Sequence, residues 1–224
     1  VKTVGKGLLS AALGLIAFGL LLFVPAGTLH YWQAWVFLAV FAVSTWIPSI
    51  YLLRTNPAAL DRRMRVGPLA ETRTLQRVVI TVIFICFPAM FVLSALDHRL
   101  GWSTVPTPVC LFGDVLVATG LGVAMLVVAQ NGYAAANVTV ESGQTLVSTG
   151  LYGLVRHPMY TGNVFLMVGV PLALDSYWGL VVLPVGLIVL VLRIRDEERL
   201  LTEELSGYRE YTRRVRYRLV PYLW

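Results

Sequence analysis

The sequence predicts an all-α integral membrane protein with about six transmembrane segments, the last two forming a helical hairpin. Composition, apolar run length and charge placement carry that expectation. Of 224 residues, 57% are hydrophobic and only 13% are charged, with a mean hydropathy of +0.73. Soluble domains carry nearer a quarter charged residues. Apolar runs recur at the length of roughly 20 residues that a helix needs to cross a bilayer core about 30 Å thick. The basic residues gather in alternate loops, as the positive-inside rule requires. This balance excludes a disordered chain. The two cysteines, Cys86 and Cys110, lie in apolar stretches. They read as buried thiols and not as a disulfide scaffold.

The first apolar run covers 7–25, with Lys2 and Lys6 ahead of it. It is longer than the ~7–15 residue core of a signal peptide and no small-x-small cleavage site follows, so it reads as a transmembrane helix. Further helices are expected over 32–53, 78–96 and 108–129. In the fourth, Ala118 and Gly122 at i, i+4 suit close helix packing. From 158 to 192 the chain is apolar for longer than one crossing needs, interrupted by Asp175-Ser176-Tyr177-Trp178-Gly179. Asp, Ser and Gly mark a turn, and Tyr with Trp favour the interface. A hairpin of 158–174 and 180–192 follows, its short second limb tilted, kinked at Pro184 or continued by the polar helix beyond it.

Charge orients these segments. Lys2 and Lys6, then Arg54, Arg62, Arg63, Arg65, Arg73 and Arg77, then Arg156, and finally Arg193, Arg195, Arg199, Arg209, Arg213, Arg214, Arg216 and Arg218 all fall on one side. Only Arg99 of the 18 basic residues falls on the other. A multi-pass protein with both termini cytoplasmic is expected. The net charge of +6 then reflects topology and contact with membrane lipid headgroups, not nucleic acid. Lys2 and Lys6 are the only lysines, an arginine bias that points to a GC-rich bacterial genome and a bacterial cytoplasmic membrane.

His157 is the one histidine on the cytoplasmic side, whereas His30 and His98 fall in outer loops and read as interfacial residues. Asp114, near the outer end of the fourth helix, has no evident role. Acids cluster at Asp196-Glu197-Glu198 and Glu203-Glu204. No set of three or four His, Cys or carboxylate ligands is spaced for a metal. No Ser-His-Asp arrangement or phosphate-cradling glycine loop is present. The scarcity of ionisable residues within the helices argues against a proton-coupled transporter.

In the polar loop 130–157, Asn137-Val138-Thr139-Val140 alternates, Ser142-Gly143 can turn, and Thr145-Leu146-Val147 returns, so a small β-hairpin is expected. Arg156-His157-Pro158-Met159-Tyr160-Thr161-Gly162 follows. Pro158 suits the first position of a helix, and the free N–H groups beyond it suit an anionic group. Gly162 lets another helix or a ligand approach the backbone. Taken singly, Arg-His-Pro is a positive flank and Glu197-Glu198 a solvated face. Folding the hairpin brings these cationic and acidic clusters to one rim.

Gln144-Thr145-Leu146-Val147, Gly150-x-Tyr152, Arg156-His157-Pro158-x-Tyr160-x-Gly162, Glu197-Glu198, Gly207-Tyr208-x-x-Tyr211 and Pro221 occur in that order. This C-terminal pattern resembles the isoprenylcysteine carboxyl methyltransferase family, which is related to the phospholipid N-methyltransferases. The resemblance covers about 130–224 and divides the chain into transmembrane helices over 1–129 and a catalytic region over 130–224. It implies an integral membrane enzyme that takes a methyl group from S-adenosylmethionine at the cytoplasmic face. The resemblance places Gln144, Thr145, Leu146, Val147, Tyr152, His157, Pro158, Met159 and Tyr160 at the cofactor, with Asn137, Gly162, Glu197 and Glu198 also assigned there. It places Arg193 at the acceptor, with Arg156 the next candidate. Gln144 stands where that family has histidine and Leu151 where proline is frequent; glutamine keeps a donor and an acceptor, so cofactor binding is expected to survive.

The expected acceptor is a lipophilic molecule bearing a carboxylate, a thiol or an amine. A carboxylate needs no general base, and an Arg fork can hold it through two hydrogen bonds. Two other readings stand beside this one. A sterol-reductase-like enzyme would take NADPH, but 130–155 contains no Lys or Arg for its 2′-phosphate. A non-catalytic lipid-binding membrane protein would bind no adenosyl cofactor.

Overall fold

A computed structural model describes the chain except 1, 60–66, 68–70, 72, 135–137, 141 and 142, and the side chains of 2–11. Its helices are α1 (Lys2–Ala26), α2 (Trp32–Thr55), α3 (Thr74–Leu100), α4 (Thr107–Gln130), α5 (Pro158–Ala173), α6 (Leu183–Glu204) and α7 (Tyr208–Arg214). Short 3₁₀ turns cover Gly150–Gly153 and Trp178–Val182. The protein is an all-α multi-pass membrane protein. Helices α2, α3 and α4 and the continuous stretch Trp178–Glu204 are each long and apolar enough to cross a bilayer. Of the other two expected segments, α1 runs over 25 residues, Lys2–Ala26. Helix α5 has 16 residues, a rise of about 24 Å.

The second hairpin limb is continued by the polar helix. Pro184 sits in the first turn of α6, where its missing N–H costs nothing, and the same helix runs on to carry Arg193 and Glu197. The β-hairpin expected over 137–147 is corrected for its described residues, 138–140 and 143–147, none of which forms a strand; 137, 141 and 142 lie outside the described residues. Val138 instead donates its N–H to Glu71 Oε2 at 3.2 Å.

Close packing joins α4 to α5, through different residues from those the sequence suggested. A Cβ on Gly122 would meet nothing within 4 Å. One on Gly120 would sit 2.6 Å from the Gly162 carbonyl oxygen, and one on Gly169 would sit 2.8 Å from that of Gly113. Gly113 and Gly120, like Gly162 and Gly169, are two turns apart, so each pair forms a flat strip along which the backbones meet. Gly162 therefore serves helix approach. On the other side of the bundle, Phe18, Phe41, Phe87 and Phe91 knit α1, α2 and α3, with ring centroids 4.7 Å apart for Phe18–Phe41 and 5.0 Å for Phe87–Phe91.

The hairpin turn is fixed at the rim opposite the candidate site. Buried Asp97 accepts from the Ser103 N–H at 2.7 Å and from the Ser103 and Ser176 hydroxyls, each at 2.6 Å. Asp175 accepts from the Val105 N–H at 2.7 Å and Gln33 Nε2 at 3.0 Å. Tyr31 donates to the Leu174 carbonyl and stacks on His98, with centroids 3.8 Å apart. His98 is thus a packed rim residue. With one end of α5–α6 anchored here, the other end is positioned for the site.

Candidate functional site

At the opposite rim a cavity of about 400 Å³ opens among α3, α5, α6, α7 and the loop after α4. Helical periodicity decides which residues reach it. Helix α6 contributes Gly186, Leu190, Arg193, Glu197 and Leu201, a stripe repeating every three or four residues. Helix α5 contributes Met159, Tyr160, Asn163, Leu166 and Met167, and α3 contributes Ile80, Ile83 and Phe87. The loop supplies Gln144, Thr145, Leu146, Val147 and Tyr152. The cavity is polar at the rim and apolar within the bundle. A smaller pocket of about 50 Å³, reaching Cys86 and Met90, shares Ile83, Phe87, Met167 and Gly186 with its apolar end.

Gln144, Thr145, Leu146, Val147, Tyr152, Arg156, His157, Pro158, Met159, Tyr160, Arg193 and Glu197 all line this one cavity. Asn137 lies outside the described residues. Glu198 and Gly162 do not line it. Adjacent positions on a helix point about 100° apart, so Glu197 faces the cavity while Glu198 faces Arg156, His157 and Arg218. Those partners lie at 2.7, 3.3 and 2.9 Å.

The polar contacts form two groups. In the first, Tyr160 donates its hydroxyl to Glu197 at 2.5 Å and accepts from Arg193 Nε at 3.0 Å. Arg193 Nη1 also reaches Gln76 Oε1 at 2.9 Å and Glu71 Oε1 at 3.1 Å. Arg73 makes a two-bond fork onto Asp196, at 2.9 and 2.6 Å, and Gln76 Nε2 donates to the same carboxylate at 2.7 Å. In the second group, Glu198 gathers Arg156, His157 and Arg218, and the Arg156 N–H and His157 N–H donate to the carbonyls of Tyr217 and Arg218, each at 2.9 Å. The segment after α7 is thereby pinned beneath the start of α5.

Glu71, Arg73 and Gln76 went unrecognised as site residues in the sequence. Glu71 is 2% exposed and joins Arg193 to the backbone of the loop after α4 at Val138. Its signal was one of only two acids, with Asp61, in a loop otherwise rich in arginine. Tyr208 and Tyr211 line the cavity as well. Burial holds the Tyr208 hydroxyl well above the ordinary phenol range, with Glu198 and Glu197 adding to the shift and Arg156 opposing it. Tyr208 therefore remains a hydrogen-bond donor at neutral pH.

Among the described residues, four buried side-chain polar atoms lack a hydrogen-bond partner: Gln33 Oε1, Asp114 Oδ1, Arg156 Nε and the Tyr208 hydroxyl. Two of them belong to residues lining the cavity. No group of three or more His, Cys, Asp or Glu suited to a metal occurs among the described residues.

The family model for phospholipid methyltransferases matches residues 109–208, from the start of α4 to the start of α7. The match points to a membrane methyltransferase and takes in every cavity residue of the loop, α5 and α6. The chain is also similar to a Delta(14)-sterol reductase of Mus musculus, 30% identical over 90 residues. That similarity covers 39% of this chain, which spans only 22% of the relative's length.

Proposed function

We propose that the chain is an S-adenosylmethionine-dependent methyltransferase acting at the cytoplasmic rim of the membrane on a lipophilic acceptor. One observation carries the reading: a single cavity joins the polar residues of the family-like pattern to an apolar section between α3, α5 and α6. The match to the phospholipid methyltransferase family supports the same reading. A polar cofactor suits the first end and an acceptor with an apolar body suits the second. The Glu197 carboxylate and the volume of the cavity fit a ligand that carries donor groups.

When bound, S-adenosylmethionine supplies an electrophilic methyl group on a sulfonium. The chain's residues position and desolvate. Gln144–Val147, Tyr152 and His157–Tyr160 hold the cofactor's polar edge, and Glu197, aligned by Tyr160, takes its hydroxyl or amino groups. Arg193 stands where the polar and apolar sections meet, fixed by Glu71, Gln76 and Tyr160, and orients the acceptor's head. Arg156, fixed by Glu198, is the second cation of the rim. A carboxylate acceptor fits this set, because its lone pair attacks without loss of a proton. Labelled methyl transfer from S-adenosylmethionine into fractionated lipid extracts tests the reading; incorporation into a lipophilic product is expected. Folded, cofactor-exposed protein that labels no fraction would argue against it.

The sterol reductase relative favours a second reading, an NADPH-dependent membrane reductase. NADPH binding with a clear preference over NADH would support that alternative. The absence of Lys and Arg across 130–155 leaves Arg156 and Arg193 as the cavity-lining cations near the loop, and both already face carboxylates.

A further inference from the structure

Helix α5 runs from the polar rim of the cavity into its apolar section, and Asn163 stands at the crossing. It lies three and four residues beyond Tyr160 and Met159, and three and four before Leu166 and Met167. One helical turn therefore separates it from each pair. Past Tyr160 and Arg193, it is the one polar side chain that the described residues of α3, α5 and α6 bring to the wall. Ile83, Phe87, Leu166, Met167, Gly186 and Leu190 make up the rest of that section. Asn163 is half-buried, and no hydrogen bond to a described residue uses its side-chain amide. Other amides near the site are engaged. Gln76 Nε2 donates to Asp196 at 2.7 Å, Gln130 Oε1 accepts from the Leu151 N–H at 3.1 Å, and Asn131 Nδ2 donates to the Tyr152 hydroxyl at 3.2 Å. An amide without a protein partner in an apolar wall costs stability, so Asn163 is explained by what enters the cavity.

Arg193 does not grip a carboxylate alone. Its Nε donates to Tyr160 at 3.0 Å, and its Nη1 donates to Gln76 at 2.9 Å and Glu71 at 3.1 Å. Every two-bond fork of a guanidinium uses either Nε or both terminal nitrogens. Each fork on Arg193 thus includes a nitrogen already engaged. Arg193 supplies charge, and a second donor has to come from another element.

We propose that Asn163 supplies it: the amide N–H holds one oxygen of the acceptor's carboxylate, beside the charge of Arg193, and leaves the other oxygen to attack. This rests on the methyltransferase reading and deepens it by assigning the residue that reads the acceptor's head. In the step, a lone pair of the free oxygen forms the new C–O bond. The methyl–sulfur bond breaks with its electron pair left on sulfur, and no proton moves. A thiol head would have to lose a proton and accepts only a weak hydrogen bond, so Asn163 selects the carboxylate over a thiol with the same tail.

The test compares Asn163→Leu and Asn163→Ala with wild type by calorimetry on the purified chain in detergent, loaded with S-adenosylhomocysteine. Dodecanoic acid and dodecane-1-thiol are the probes, alike in tail and different in head. Losing a hydrogen bond to a charged group should weaken dodecanoic acid by about 10-fold or more in both variants. Affinities for the thiol and for S-adenosylhomocysteine should stay as in wild type. The melting temperature should equal or exceed wild type, because leucine and alanine are better helix formers than asparagine. Unchanged dodecanoic acid affinity in both variants would overturn the proposal. A loss confined to Asn163→Leu would be steric, and equal losses for acid and thiol would make Asn163 a shaper of the tail's space; either result overturns it. A lowered melting temperature with discrimination between the probes intact would make Asn163 structural. Wild-type protein that binds S-adenosylhomocysteine but not dodecanoic acid removes this inference alone. Folded wild-type protein that does not bind S-adenosylhomocysteine removes the methyltransferase reading with it.

Discussion

Replacing Glu71 with alanine removes the carboxylate in direct contact with the buried Arg193. The Glu71 and Arg193 side chains are 1% and 5% exposed and meet at 3.1 Å, so water screens the pair little. Breaking a buried pair by removing one partner costs about 3–5 kcal/mol. Arg193 keeps hydrogen bonds to Gln76 and Tyr160 and the nearby charge of Glu197, which places the loss toward the lower end. The Val138 N–H also loses its acceptor, adding about 1 kcal/mol. A destabilisation of about 3–4 kcal/mol is expected, with Glu71→Gln costing roughly half. Thermal and SDS-titration unfolding in detergent measure it. A double-mutant cycle with Arg193→Met isolates the pair, since replacing both partners with apolar groups can be nearly neutral. The double variant Glu71→Leu/Arg193→Met should be more stable than Glu71→Leu alone. Strictly additive losses, or a Glu71→Ala variant that melts like wild type, would refute the buried-pair argument.

The α4–α5 seam predicts a contrast between near neighbours. Gly120→Ala forces a Cβ to within 2.6 Å of a backbone oxygen and should destabilise by about 1–3 kcal/mol. Gly122→Ala points into open space and should melt at or slightly above wild type; equal effects would contradict the seam. Glu197→Gln and His157→Ala should each weaken S-adenosylhomocysteine binding in calorimetry, Glu197→Gln by about 10-fold or more, and unchanged affinity in both would sink the cofactor assignment. Arg193→Ala should raise the acceptor KM or lower kcat more than it weakens cofactor binding, and the reverse pattern would move Arg193 to the cofactor.

Most of this architecture was legible because bilayer spans leave long, uninterrupted apolar runs. The spans over 32–53 and 108–129 match α2 and α4 to within two residues, and α3 adds about a turn at each end of the expected helix. Short-range patterns were less secure. The alternation around Val138 suggested a strand, but its N–H found a distant carboxylate, which no local pattern encodes. Ala118 and Gly122 had the right spacing for a packing face, yet the seam lies on Gly113 and Gly120, because helix rotation is set by the partner's own glycines. The cavity residues of 144–160 were readable as a pattern, and Arg193 and Glu197 followed from one helical face. Glu71 and Gln76 were not readable, since their roles arise when α3 docks on α6. Tyr208 was visible as part of a pattern, but its burial against Leu205, Tyr211 and Val215 arises only when α7 packs.

The central claim is that the rim cavity binds an adenosyl cofactor. Calorimetric titration of S-adenosylhomocysteine into detergent-purified protein, shown to be folded by a cooperative melt, tests it most directly. The account predicts saturable one-to-one binding that Glu197→Gln weakens. Folded wild-type protein that gives no binding signal and no ligand-induced rise in melting temperature would contradict it.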